Sequence, residues 1–328
     1  MSCAEKQPFL SIVLPTYNVG KYIDRCLKSC LNQTSKSIEV IVVDDCGQDD
    51  SIVKAERWVL EDDRIRIVRN PRNLGTYHAR RVGTEAANGI YVLFLDPDDE
   101  LASNAAEVIS KEVLNNEVDL IFFASQQLPE VGALLRKPKL PIQATSGRGT
   151  AEAILRTRNL NYGTPGKAYL AATLRQAFKF LDIGESVRLV YAEDALIFYA
   201  ALYYTRKFIS IPQPLYRYYR NEDSITKSAS EESRLLKSEQ IELAVDIISQ
   251  TLRKSPLNAE NKKTQVALKK IPAKLMSDKH LLSRYSTDPS TGKSRYLTSV
   301  FNSMLARRAP ADAVRILIFL FSAGKKKL

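Results

Sequence analysis

Four apolar runs separated by helical stripes constrain this chain more than any other feature. They are "LSIVLPTY" (10–17), "IEVIVVDD" (38–45), "IRIV" (65–68) and "IYVLFLD" (90–96). A strand with one wet face alternates polar and apolar residues, whereas a near-continuous run is buried on both faces. Between the runs lie helix patterns. Residues 20–33 carry apolar side chains at Tyr22, Ile23, Cys26, Leu27, Cys30 and Leu31, residues 50–60 are helical, and "GTYHARRVGTEAA" reads as a helix opened by Gly75. A further helix (103–115) and the strand "VDLIFFA" follow. Strands and helices that alternate in this way imply an α/β fold, a mostly parallel Rossmann-like sheet with helices on both faces.

In open sheets of this kind a ligand sits beyond the carboxyl ends of the strands. The polar signals fall there. Thr16 and Asn18 follow the first strand, Asp44 and Asp45 the second, Asn70 and Asn73 the third, and Asp96, Asp98 and Asp99 the fourth. Carboxylates this close repel one another unless a positive charge sits among them. Asp-x-Asp at a strand end can chelate Mn²⁺ or Mg²⁺, which takes its other ligands from water and phosphate. A solvated acidic turn, or the cap of the next helix, is the plainer alternative. Neither GxGxxG nor GxxxxGK[ST] occurs, so phosphates need another holder, and the helix start at Gly75 could point amides at an anion. A third acidic station, Glu193 and Asp194, opens the helix pattern "YAEDALIFYAALYY". It could supply a general base, or it could serve only the helix dipole.

The segments "LSIVLPTYNVGKYIDRCLKSCLNQT", "IEVIVVDDCGQDDS", "NPRNLGTYHARRVGTEAANGIYVLFLDPDDEL" and "YAEDALIFYAAL" together resemble glycosyltransferase family 2. The resemblance covers residues 9 to about 228. It implies the GT-A fold and an inverting, metal-dependent enzyme that uses nucleotide sugars. "FLDPDD", "AED" and "LYRYYRNEDSIT" are further similar to bacterial lipooligosaccharide β-1,3-galactosyltransferases, which implies UDP-galactose. Carried over by position, Asp45 matches the uracil-contacting aspartate with Asp44 beside it. Pro15, Thr16 and Tyr17 match the nucleotide-lining segment. Asp96 matches a ribose or metal-shell contact, Asp98 the metal ligand, and Asp194 the base with Glu193 next to it. Arg80 sits where a helix face could approach the diphosphate. "TPGKAYLAATL" departs from the family pattern: Pro165 stands where Trp often precedes Gly-Lys, so an acceptor-stacking aromatic is either lost or supplied by Tyr162, and Lys167 is a further acceptor-side candidate. The QxxRW motif of processive members is absent, which favours transfer of a single sugar.

Charge divides the chain. Residues 1–250 hold 31 Lys and Arg against 33 Asp and Glu, a net of −2, whereas residues 251–328 hold 17 against 4, a net of +13. Such a tail suits an anionic membrane surface, and thereby a lipid-linked saccharide acceptor; a helical cap with a solvated basic face is the alternative. Nucleic acid fits poorly, since no reading motif accompanies the charge. The order of parts is then a catalytic domain over 1–228, with a nucleotide-sugar part to about 125 and an acceptor and base part over 126–228, followed by a basic helical region over 229–328. Residues 126–148 read as a loop, "KFISI" and "PLYRYYR" as two strands, and 230–252 as a helix. Cys3, Cys26, Cys30 and Cys46 form no CxxC pair and read as reduced thiols. No signal peptide or spanning segment is evident, so the expected place is the cytoplasm, peripheral on the inner membrane face. A transferase of another UDP-sugar (Glc, GlcNAc or GalNAc) for capsule or exopolysaccharide, a sugar nucleotidyltransferase and a non-catalytic polyanion- or membrane-binding protein are the competing functions.

Overall fold

The computed structural model describes residues 7–114, 118–128, 150–157, 160–219, 230–254 and seven positions between 266 and 276. The four apolar runs form β1 (Leu10–Thr16), β2 (Ile38–Asp44), β3 (Ile65–Arg69) and β4 (Tyr91–Phe94). They lie in the order β3-β2-β1-β4, parallel throughout. The helices between them are α1 (Ile23–Leu31), α2 (Ser51–Glu61) and α3 (Thr76–Ala86). Alternate residues of each strand enter different cores. Ile12, Leu14, Val40 and Val42 pack with α1, whereas Val13, Ile41 and Val43 pack with α3. Burial on both faces is what removes the polar alternation from the sequence. Gly83 lets α3 lie directly on β1, for a Cβ there would stand 2.3 Å from Val13 Cγ1.

Beyond β4 the sheet is mixed, and the reading from sequence needs correction. After β5 (Glu100–Leu101) and α4 (Ala105–Val113) comes β6 (Leu120–Leu128), which runs through Gln126–Leu128 where a loop was expected. Past α5 (Thr150–Leu155), the short β7 (Lys167–Leu170) inserts antiparallel between β4 and β6. Four residues are too few to show a period. Helix α6 (Ala171–Leu181) follows, then α7 (Glu193–Tyr204). "KFISI" from Phe208 and "PLYRYYR" up to Tyr219 are one strand, β8 (Phe208–Tyr219), parallel to β6. Pro212 and Pro214 suggest a break because neither offers an amide to a ladder. The strand absorbs them in the exposed stretch 212–214, where its register with β6 shifts.

Helix α8 (Glu231–Lys254) lies past the boundary expected near residue 228. Its Ile241, Ala244 and Ile248 are fully or almost fully buried in the same core as α3, α6 and α7. Most of the basic stretch 258–328 lies outside the described residues. Among the described residues no helix is long and apolar enough to cross a membrane.

Candidate active site

Because β1, β2 and β4 are parallel, their carboxyl ends share one rim. Thr16 closes β1 and is buried, and its hydroxyl donates to the Leu14 carbonyl at 3.0 Å. Pro15 is half-buried beside it, and Tyr17 is exposed. Asp44 closes β2, accepts from the Cys46 amide at 2.9 Å and lies 3.8 Å from Arg69.

Asp45 is turned inward. Its carboxylate accepts from the amides of Leu74 and Gly75, both at 2.9 Å, and from the Asn70 side chain at 2.7 Å. These amides lead into α3. The helix start read from sequence as an anion site therefore already holds an anion, supplied by the protein itself. Gly75 has φ +88°, and a Cβ there would stand 2.7 Å from the Leu189 carbonyl oxygen, so only glycine fits this approach.

The turn after β4 divides its acids. Asp99 is fully buried, accepting from the Tyr216 hydroxyl and the Tyr219 amide, each at 2.7 Å. Burial pushes this carboxyl up to about 8, with Asp96 adding to the rise. Asp99 thus ties the turn to β8. Asp98 is half-buried, and its carbonyl accepts from Arg25, whose guanidinium also pairs with Glu100 at 3.2 Å and lies 3.7 Å from the Tyr219 ring centre. No sequence motif singles out Arg25, and within "LYRYYRNEDSIT" nothing marks Tyr216 and Tyr219 as the partners of Asp99.

Arg80 answers the question that the crowded acids raise. It projects from α3 and is 3% exposed. Its Nη2 donates to Asp96 at 3.0 Å, and its Nη1 donates to Glu193 at 3.0 Å and also to Asp194. One guanidinium joins the acids at the end of β4 to those at the start of α7. Here Arg80 meets protein carboxylates; the sequence put it on a helix face that could approach a diphosphate. Burial pulls the Arg80 pKa down, but Asp194, Asp96 and Glu193 together outweigh it and keep the cation charged. Burial pushes Asp96 up to about 6 and Glu193 up to about 7. In each case Asp194 adds to the rise and Arg80 opposes it.

Asp194 is the most open acid of this group, with 31% of its side chain exposed. Its Oδ1 is held by Arg80, and its Oδ2 faces the turn at Gly163, 3.5 Å from where a Cβ would stand. Lys167 is buried beneath that turn. Its ammonium donates to the Gly163 carbonyl and lies 5.2 Å from the Phe198 ring centre. Tyr162 packs on the same ring at 5.6 Å. The acceptor-side candidates therefore gather beside Asp194.

Among the described residues no group of three or more His, Cys, Asp or Glu side chains is arranged to hold a metal ion. The rim offers a hard-oxygen pair, Asp96 and Asp98, which suits a divalent ion only if phosphate and water complete its shell. The donor chemistry fits such an ion on that condition.

Comparison with known proteins decides the family. The model of glycosyl transferase family 2 matches residues 11–179, just over half of the chain. The chain belongs to glycosyl transferase family 2. Glycosyltransferase GlyG of Streptococcus pneumoniae is 32% identical over 112 residues, 34% of this chain and 37% of that protein. The uncharacterized glycosyltransferase EpsJ of Bacillus subtilis is 38% identical over 114 residues, 35% of this chain and 33% of that protein. The family 2 chain thus matches about a third of each of these relatives. The GT-A fold is shared with S. aureus TarS 1–349 in complex with UDP-GlcNAc, at a TM-score of 0.65 and 20% identity, covering 91% of this chain and 81% of that one. Mannosyltransferase PcManGT of Pyrobaculum calidifontis, in complex with GDP-Man and Mn²⁺, aligns at 0.54 and 15% identity, covering 95% and 88%.

Proposed function

We propose that this family 2 protein is an inverting glycosyltransferase that moves a hexose from a UDP-sugar to a saccharide hydroxyl. The observation that carries the reading is the meeting of donor-end and acceptor-end acids, Asp96 and Asp194, on Arg80. The UDP and UDP-GlcNAc complexes of the structural neighbour TarS support the donor class. Galactose is our choice of hexose, on the resemblance of "FLDPDD", "AED" and "LYRYYRNEDSIT". A lipid-linked surface-glycan acceptor, such as lipooligosaccharide, is our choice of acceptor. The net charge of +13 over residues 251–328 supports docking on an anionic membrane surface.

In this mechanism the nucleotide lies across the ends of β1 and β2, against Pro15, Thr16 and Tyr17. Asp45 is the acid that meets the base, held in place by the amides of Leu74 and Gly75, with Asp44 beside it. Asp98, with Asp96 beside it, would hold Mn²⁺ or Mg²⁺. The ion when bound neutralises charge on the departing diphosphate. The acceptor hydroxyl enters between Asp194 and the Tyr162–Thr164 turn. Asp194 takes its proton through the oxygen facing Gly163 as the new bond forms at the anomeric carbon and the bond to UDP breaks. Attack opposite the leaving group turns an α-linked donor into a β-glycoside. Base and phosphate site must then flank the sugar, which is why their acids come from separate parts of the chain.

The test is hydrolysis of UDP-Gal, UDP-Glc, UDP-GalNAc and UDP-GlcNAc with Mn²⁺, in the wild type and in Asp194→Asn. We expect Asp194→Asn to bind UDP as the wild type does and to lose about 10²–10⁴-fold in turnover. Undiminished turnover in the variant would remove Asp194 from the mechanism.

A further inference from the structure

The irregular stretch 185–192 delivers Glu193 and Asp194 to Arg80, and two helices hold it. On one side is α3. The Tyr77 amide donates to the Leu189 carbonyl at 3.2 Å, and His78 Nε2 lies 3.0 Å from the Val187 carbonyl. Arg188 donates to Asn73 at 2.9 Å. On the other side is α8, where the Lys237 ammonium lies 5.9 Å from the Tyr191 ring centre and Gln240 meets the backbone. Gln240, 6% exposed, accepts through Oε1 from the amides of Val190 at 3.0 Å and Tyr191 at 2.8 Å. Its Nε2 donates to the Arg188 carbonyl at 3.3 Å. Three backbone groups in four residues thus find their partner in one side chain. The three bonds are part-buried, so these groups have fewer alternative partners than fully exposed backbone.

The next residue, Ala192, sits at φ +62° in the left-handed region, which costs a non-glycine residue about 1 kcal/mol. Such a backbone persists only where its surroundings fix it. Gln240 fixes the residues immediately before it, and Ala192 in turn aims Glu193 and Asp194. We propose that Gln240 is a positioning residue for the reaction. By holding Val190 and Tyr191 it sets the Ala192 turn, and so the direction of Asp194 towards Arg80 and the acceptor. This inference rests on Asp194 being the base. It makes α8 part of the mount of the active site, although its sequence lies outside the segment matched by the family.

The side-chain chemistry defines the test. The role needs an acceptor for two adjacent amides. Glutamate supplies one, and methionine fills the space without it. The full chain is compared as wild type, Gln240→Glu and Gln240→Met. Readouts are UDP affinity with Mn²⁺, kcat and KM for hydrolysis of the most active of the four UDP-sugars, and Tm. We expect Gln240→Met to bind UDP within about twofold of wild type, keep its KM, and lose about 10–100-fold in kcat, since a misplacement of about 1 Å has that effect. Gln240→Glu should recover most of the loss. A Gln240→Met protein with lowered Tm but wild-type kcat would overturn the inference and leave the transferase reading intact. If methionine prevents folding, Gln240→Ala, which admits water to the two amides, makes the same comparison against the same criterion. A wild-type protein that neither binds UDP nor hydrolyses any donor overturns the transferase reading, and this inference with it.

Discussion

Replacing Arg80 by methionine would remove the one cation that Asp96, Glu193 and Asp194 share, and the outcome can be worked from the geometry. The guanidinium is 3% exposed and its carboxylate contacts reach no farther than 3.0 Å. Breaking a buried ion cluster by removing one partner costs about 3–5 kcal/mol, because the remaining charges are left uncompensated. The protein can evade part of that cost by protonating the acids. Asp96 and Glu193 already stand at about 6 and about 7 in the presence of Arg80, and without it both must rise. A carboxyl whose folded pKa lies above its unfolded value binds extra protons in the fold, so stability is lost as pH rises. The deficit of Arg80→Met should therefore be small at pH 5 and approach its full size at pH 8, a Tm drop of roughly 5–15 °C. Urea denaturation followed by circular dichroism across this pH range measures it. Adding Glu193→Gln should return about 1–2 kcal/mol at pH 8, since it removes one of the stranded charges. A deficit below about 1 kcal/mol at pH 8, or one independent of pH, would refute the idea that Arg80 neutralises this cluster.

Two other buried groups make opposite predictions. Burial pulls Lys167 down to about 7, so the fold bears the cost of its charge in full below that pH. Lys167→Met should raise Tm, most at low pH, while turnover falls as the Gly163 turn loosens; a lower Tm at pH 6 would count against this. Asp99, pushed up to about 8 by burial, holds its proton over more of the pH range in the fold than in the unfolded chain, and an amide can replace a protonated acid between Tyr216 and Tyr219. Asp99→Asn should stay within about 1 kcal/mol of wild type at pH 5 and flatten the loss of stability that the wild type shows as pH rises towards 8. A penalty above about 3 kcal/mol at pH 5 would show that the carboxylate itself is needed.

The parallel half of the sheet is legible because burial on both faces leaves short apolar runs rich in β-branched residues, bounded by turn residues and separated by helical stripes; an apolar run alone would not suffice, since Ala195–Tyr204 is one and is helical. The second half is hidden for local reasons. Lys167–Leu170 is too short to show a period, and Pro212 and Pro214 imitate a chain break inside β8. The acids at the rim are legible as a set, because strand ends in such a sheet face one way. Their division of labour is not. Asp44 and Asp45 are adjacent and chemically identical, yet only Asp45 faces the amides of Leu74 and Gly75, thirty residues away. Gln240, on an ordinary helical stretch fifty residues beyond the turn it holds, leaves no local signal at all.

Arg80 is the deeper case, since the sequence asks for a cation among the acids and two cations can answer. A divalent ion is suggested by the local pattern Asp-x-Asp. The guanidinium is suggested only by contacts that span 113 and 114 residues to Glu193 and Asp194, a separation at which no spacing rule operates. The two answers are not exclusive, because they serve different sides of Asp96. Arg80 approaches it from α3 and the inside of the fold, while Asp98 stands on the turn beyond the strand. An ion drawn to Asp98 by a diphosphate would share Asp96 with Arg80 and weaken the hold of Asp96 on that guanidinium. Arg80 would then be held more by Glu193 and Asp194. On the proposed mechanism, a charge change at Asp96 would be felt at Asp194 through the one side chain that both contact.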